Sequence, residues 1–187
     1  MDKRTFLAGG LVAVLAAACT TTSTSSGDPV AKRASINASV DSALSKLYAQ
    51  APGSREMTGK AKGVLVFPDV VSAGLGVGGS YGQGALRVGG KTDGYYSTTA
   101  ASVGLLAGAD SKAVFVLFMT QESLDKFRAS KGWTAGADAS VTMLKVGASA
   151  AVDTQTMQQP VVGYALSNAG LMANLSLDGT KVSKLDL

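Results

Sequence analysis

Gly74-Leu75-Gly76-Val77-Gly78-Gly79 has the spacing G-x-G-x-x-G, and Asp93 lies 19 residues beyond Gly74. In a strand–turn–helix unit that pairing binds a dinucleotide. The glycines let the backbone approach the pyrophosphate, and the acidic residue takes the ribose. The surroundings here do not fit. Ser80-Tyr81-Gly82-Gln83-Gly84 follows, which cannot open a helix, and no βαβ pattern encloses the motif. The chain has no histidine, which removes His-based triads, His metal sites and His proton shuttles. One cysteine leaves no disulfide within the chain and no cysteine zinc site. The 13 carboxylates stand mostly isolated between small residues. Asp93 and Asp178 sit in turn sequences, Asp28 at a helix start and Asp125 on a helix face. Calcium loops need clustered acids, and none occur. Neither a phosphate loop G-x-x-x-x-G-K-[ST] nor a nucleophile elbow G-x-S-x-G is present. These residues point to a protein that is not an enzyme and takes no cofactor or metal.

The one cysteine has a chemistry of its own. Lys3 and Arg4 precede an apolar run over 6–18, which ends Ala16-Ala17-Ala18-Cys19. Thirteen residues fit a signal h-region and fall short of the roughly 20 that span a bilayer. The arrangement resembles a bacterial lipoprotein signal, in which the cysteine after small residues is acylated and becomes the new N-terminus. Leu15 lies one place earlier than the usual leucine of that pattern. Two other readings of the same residues are an ordinary signal peptide cut after Ala18 and a free buried thiol. The position of the only cysteine at this spot favours acylation. Several acyl chains on Cys19 meet the two-signal requirement for stable anchoring. The expected layout is a signal peptide over 1–18, a Ser/Thr-rich tether over 19–28 and a single domain over 29–187.

The 187 residues suit one domain. Apolar residues are 46% and charged residues only 16%, so a core can form and wholesale disorder is excluded. A net charge of +4, about +3 once Asp2, Lys3 and Arg4 are removed, favours anionic surfaces weakly and is no nucleic-acid footprint. Asp28-Pro29 is a helix start. Val30, Ile36, Val40, Ala43, Leu44 and Leu47 recur at helical spacing, which predicts an amphipathic helix of about 20 residues stopped by Pro52-Gly53. Its apolar stripe either packs on the domain or lies on a membrane with Lys32, Arg33 and Lys46 facing phosphates. The Ala-rich stripe, without Trp or Phe, favours packing.

From Gly63 the period changes to two. Val64-Leu65-Val66-Phe67 is a short strand that Pro68-Asp69 should stop. Positions 74, 76, 78, 80, 82 and 84 are glycine except Ser80, and alternation puts them on one strand face. The opposite face carries Leu75, Val77, Tyr81 and Ala85. A face without side chains admits a close approach by a helix, another strand or a ligand, and the first two are the simpler reading. Turns are expected over 87–91 and 91–94, and strands over 95–109, 113–119, 137–143 (with a phase change after Leu144), 161–166, 171–177 and 181–185. Asp178-Gly179 reads as a hairpin turn. Thr120 can cap a short helix through Arg128, with Glu122 and Lys126 as an i,i+4 pair. The fold class is α+β: an antiparallel multi-stranded β-barrel or two-layer sheet, of eight to eleven short strands, with the N-terminal amphipathic helix and a short helix near 120–130. Arg55, Lys60 and Lys62 cluster before the first strand, as lipid-headgroup contacts or as a solvated loop. Trp133 opens a strand, as an interfacial anchor or as core.

A series of motifs in order resembles the SYLF domain. It runs Ala61-Lys62-Gly63-Val64-Leu65-Val66-Phe67-Pro68, then Gly76-Val77-Gly78-Gly79-Ser80-Tyr81-Gly82-Gln83-Gly84, then Tyr95-Tyr96-Ser97 onward to Gly108. Phe118-Met119-Thr120, Gly132-Trp133 and Gly170-Leu171-Met172-Ala173-Asn174-Leu175-Ser176-Leu177-Asp178-Gly179-Thr180-Lys181 complete it. The resemblance covers roughly residues 35 to 187. It implies a lipid-binding module. Eukaryotic members bind phosphoinositides and sit beside SH3 or FYVE domains, some fungal members also bind actin, and bacterial members are often secreted or lipoprotein forms. Leu106 stands where the family commonly has Gln.

Together these readings lead to an expectation: a lipoprotein of the bacterial cell envelope, anchored through Cys19, in the outer membrane facing the periplasm or the surface. It would bind an anionic phospholipid or a fatty-acid-like ligand, with Lys32, Arg33, Arg55, Lys60, Lys62 and Trp133 as the candidate lipid-binding residues and no nucleic-acid partner. The alternative is a structural or adaptor lipoprotein that meets an envelope protein through its Gly-rich surface.

Overall fold

The computed structural model describes residues 28–144, 158–167, 170–171 and 176–187. Asp28 caps the first helix as its sequence demands. Its side chain accepts from the Val30 N–H at 2.9 Å, and Pro29 takes the first turn, where no N–H is needed. Helix α1 (Pro29–Gln50) buries Ile36, Val40, Ala43 and Leu47, so the apolar stripe packs on the domain. Pro52-Gly53 ends it, and a second, short helix follows, α2 (Ser54–Lys60). The buried Ser54 hydroxyl donates to the Leu47 carbonyl at 3.3 Å and ties the two helices together. The basic stretch read as a loop is therefore partly helical.

Two very long strands come next, β1 (Gly63–Val88) and β2 (Lys91–Phe118), antiparallel along their whole length. Gly89 and Gly90 form the turn between them, both with φ in the left-handed region (56° and 78°), as a two-residue hairpin turn of matching twist requires. The expected second turn at 91–94 is strand instead. Nor does Pro68-Asp69 stop β1, because a register shift between Phe67 and Val70 absorbs it. Helix α3 (Gln121–Ala129) is capped by Thr120, whose hydroxyl accepts from Ser123 N at 3.2 Å. The remaining strands are β3 (Trp133–Thr134), β4 (Thr142–Met143), β5 (Val161–Ser167), β6 (Gly170–Leu171) and β7 (Lys181–Leu185). Of the strand expected over 137–143 only Thr142–Met143 forms, and the rest is loop, where the Asp138 carboxylate accepts from the Thr134 N–H at 2.6 Å. The phase change expected after Leu144 and most of the strand expected over 171–177 lie outside the described residues.

The sheet order is β3-β7-β2-β5-β4, with β1 beside β2 and β6 beside β5. It is mixed and mostly antiparallel, since β4 runs parallel to β5, and it curls into a half-barrel. At one end β2 pairs β5 from Lys112 to Phe118; at the other it pairs β7 from Tyr95 to Thr99. Between those stretches its second edge carries no described strand.

At the β5 end both sheet faces are covered, which explains the continuous apolar runs. Val64, Val66, Phe115, Leu117, Val162 and Tyr164 pack with α1. Leu65, Phe67, Val114, Val116, Phe118 and Val161 pack on the other face with Leu124 and Phe127 of α3, Trp133 and Val182. Each such side chain, fully buried, stabilises the fold by about 1.5–3 kcal/mol. Phe127 sits at the centre of a ring cluster with Tyr96 (4.9 Å), Phe118 (4.7 Å) and Trp133 (5.7 Å).

The glycine face of β1 now has a cause. The strand curls over itself, so residues 82–84 cross residues 66–70. A Cβ on Gly84 would collide with the Val66 carbonyl oxygen, and one on Gly82 would lie 2.8 Å from the Asp69 carbonyl oxygen. The close approach is made by the same strand's backbone. Gly82 and Gly84 are buried by it, so that part of the Gly-rich segment is not a docking surface.

Candidate functional site

The six cationic and aromatic candidates do not converge. Lys32 and Arg33 are exposed in the first turns of α1. Arg55, Lys60 and Lys62 belong to the opposite end of that helix. Arg55 stacks on the Tyr48 ring, 4.4 Å from its centre, and Tyr48 lies roughly 24 Å along the axis from Lys32 at 1.5 Å per residue. Lys60 pairs with Glu56 one turn back at 2.6 Å, which holds the Glu56 carboxyl below its usual range. Lys62 is exposed at the entry to β1. Trp133 is 4% exposed inside the ring cluster, so it is a core residue and does not present itself to an interface. Cys19 lies outside the described residues, as does the side chain of Leu106.

Several hollows flank α1, among them one of about 720 Å³ between Ser42, Lys46 and Gln50 of the helix and Ser111 and Lys112 of β2. At its C-terminal end a cleft of about 390 Å³ is lined by Leu44, Tyr48, Arg55, Thr58, Arg87 and Gly90 among others. Arg87 reaches across it to Asp41 at 2.7 Å, while Asn37 donates to the Tyr95 hydroxyl at 2.9 Å and accepts from the Thr92 hydroxyl at 2.8 Å. These bonds fasten α1 to the β1–β2 hairpin. At the N-terminal half of the helix lies a wider groove of about 660 Å³. Its walls are Ile36 and Ser39 of α1 with Pro68, Val71, Ala73 and Tyr81 of β1. Its surface is mainly apolar. The polar side chains on it are Ser35 and Ser39 of α1, Ser80 and Gln83 of β1, the Asp69 carboxylate, which accepts from the Ser111 hydroxyl, and the Tyr81 hydroxyl, which accepts from Gln83 Nε2 at 2.6 Å.

The groove continues into an apolar strip. On β1, odd positions from 71 to 81 are exposed, while Ser72 is buried and Gly74, Gly78 and Ser80 are half-buried. Leu75 is 84% exposed, Val77 70%, Tyr81 49% and Val71 46%. The sequence carried the signal in its alternation, which set Leu75, Val77 and Tyr81 opposite the glycines. It gave no sign that the side-chain face would stay open while the glycine face was covered.

The shifted titrating groups lie away from this groove. Burial pushes the Tyr164 hydroxyl up to about 12 and, with the neighbouring Asp93 charge, raises Tyr96. Asp93 in turn hydrogen-bonds Arg128 of α3 and raises its pKa. These contacts fasten α3 to β2.

The sequence from the middle of β2 to β7 has a counterpart among known families. Residues 99–186 match the family model described as Ysc84, Las17-binding protein actin regulator. This match agrees with the resemblance to the SYLF-domain family that the sequence carries. No curated protein matches the chain. The groove's own walls, α1 and β1, precede the matched segment.

Proposed function

We propose that this chain is a non-catalytic lipid-binding module of the bacterial cell envelope, held at the membrane by an acylated Cys19, that takes an anionic phospholipid or a fatty-acid-like ligand. The observation that carries the reading is the open apolar groove between α1 and β1 in a chain with a SYLF-family segment. Chain-like apolar ligands suit such clefts, where a few polar groups fix the head. Lys32 lies one turn before Ser35 and Ile36, which line the groove, so helical spacing sets a cation at its rim. The exposed Lys60 and Lys62, at the far end of α1, add long-range attraction to an anionic surface. The reading of the Gly-rich segment as a protein-docking surface loses support, because Gly82 and Gly84 are covered by their own strand.

The test is co-sedimentation of the Cys19→Ser chain, residues 19–187, with vesicles of graded anionic content at low and high salt. Both core clusters lie within residues 36–182, so this chain keeps all of the described core. Binding that rises with anionic lipid and falls with salt supports the proposal. Lys60→Glu with Lys62→Glu should weaken binding a few-fold, and only at low salt. Absence of binding under every composition rejects it and turns the search to a protein partner.

A further inference from the structure

The corner of β1 at Gly74–Gly78 carries two exposed aliphatic side chains, Leu75 and Val77. Here the backbone doubles back so tightly that a Cβ on Gly74 would lie 2.6 Å from the Val77 carbonyl oxygen. The pairing with β2 jumps at the same place, from Leu75 opposite Ala107 to Val77 opposite Val103. Leu75 and Val77, 84% and 70% exposed, sit at the apex of the bend, beyond the residues that line the groove. The surrounding composition is as telling as the exposure. From Val70 to Leu86 in β1, and from Gly94 to Ala109 in β2, no residue is charged. Exposed strands facing water are ordinarily guarded by charges, lysine above all. This ribbon has none until its base, where Asp69, Asp110 and Lys112 lie together in the register.

We propose that the Leu75–Val77 corner is a membrane-penetrating element, which dips into the interfacial zone of a bilayer and leaves the Asp69, Asp110 and Lys112 belt at the water boundary. The proposal rests on the lipid-binding reading above and adds a contact surface to it. Where the chain enters the domain fixes the occupant as a bilayer. Ser35, Ile36 and Ser39 of α1 share the groove with Val71 and Tyr81, so the helix end at Asp28 lies about 10 Å from this face at 1.5 Å per residue. Residues 19–28 reach at most about 35 Å when extended. An acyl chain on Cys19 thus keeps the corner within reach of the lipid surface. The rise from the belt to Leu75, three residues from the Asp110 register and six from Asp69, is about 10–20 Å at roughly 3.3 Å per residue and is shortened by the bend. An interfacial element buries its apolar face about 5–10 Å deep.

The experiment compares the Cys19→Ser chain with its Leu75→Ser/Val77→Ser variant on vesicles of phosphatidylcholine containing about one-third phosphatidylglycerol. The high-salt arm isolates the apolar contribution. The expected result is a loss of about tenfold or more in partition at high salt, with an unchanged unfolding midpoint, since neither side chain is buried. In parallel, Leu75→Cys carrying an environment-sensitive dye should shift to the blue on vesicle addition and be quenched by lipids labelled near the headgroup. Equal partition of the two chains, with binding by the unaltered one, overturns the corner's role and leaves the groove reading standing. No partition by either chain overturns both. A variant that turns a self-associated chain into a monomer would make the corner a contact between copies and would also overturn the proposal.

Discussion

β1 and β2 are one continuous ribbon, yet its base and its middle have opposite surroundings. At the base, residues 63–67 and 113–118 are packed on both faces. In the middle, residues 71–81 of β1 turn apolar side chains outward, and the second edge of β2 carries no described strand. The ladder between the two strands is continuous through both regions apart from its register shifts, so backbone pairing does not distinguish them. What differs is the number of layers. α1 and α3 cover the base, whereas in the middle the outward face, Leu75 and Val77 above all, stays open among the described residues. Strand formation here is a matter of the ladder, whereas stability is a matter of what lies above and below it. The middle can therefore be spent on contact with something outside the chain.

Predictions that break or sharpen this contrast follow from its extremes inward. Gly84→Val should have the largest effect, about 4 kcal/mol or failure to fold. The new side chain meets the Val66 carbonyl oxygen, and neither backbone can yield without uncurling the ribbon. Urea unfolding or soluble yield measures it. Phe115→Ala at the base should cost about 3–5 kcal/mol, while Leu75→Ala in the middle should stay within about 0.5 kcal/mol; comparable losses at both sites would erase the distinction.

The base also has a pH signature. Burial lifts the Tyr164 hydroxyl from 10.0 to about 12 in the folded chain. Between those values the unfolded chain ionises first. The stability it contributes is complete below pH 10 and is lost as pH rises through about 12, on the order of 2 kcal/mol. Unfolding midpoints of the unaltered chain and Tyr164→Phe across that window isolate the effect. A smaller loss is expected for Asp28→Ala. It removes the cap bond to Val30 N at 2.9 Å and should cost about 1 kcal/mol, read as a lower midpoint without a change in lipid partition.

Local features of this architecture were legible in the sequence because local chemistry fixes them. Asp28-Pro29 and Thr120 announced their helices by capping, and the run over 113–119 announced a strand buried on both faces. The strand lengths were not legible. Pro68 and the glycine run look like breaks, but a register shift absorbs the proline and the curl of β1 makes use of the glycines. That curl is a long-range event with no local marker. Arg55, Lys60 and Lys62 stand beside Lys32 and Arg33 as candidate headgroup contacts in the sequence, but α1 sets the two groups a helix length apart. Trp133 shows the converse case, since an aromatic that opens a strand looks the same whether it faces lipid or, as here, Phe118 and Phe127. The groove was half legible: alternation separated its apolar face from the glycine face, but only the packed structure decided which of the two stayed open.

The measurement that tests the central claim most directly is the partition of the Cys19→Ser chain onto anionic vesicles. The account predicts that this chain, without acyl groups, sediments with the vesicles and retains part of that binding at high salt, through Leu75, Val77 and the groove beside α1. A chain that stays in the supernatant at every lipid composition and salt concentration would contradict it, and would leave acylation as the protein's whole hold on the membrane.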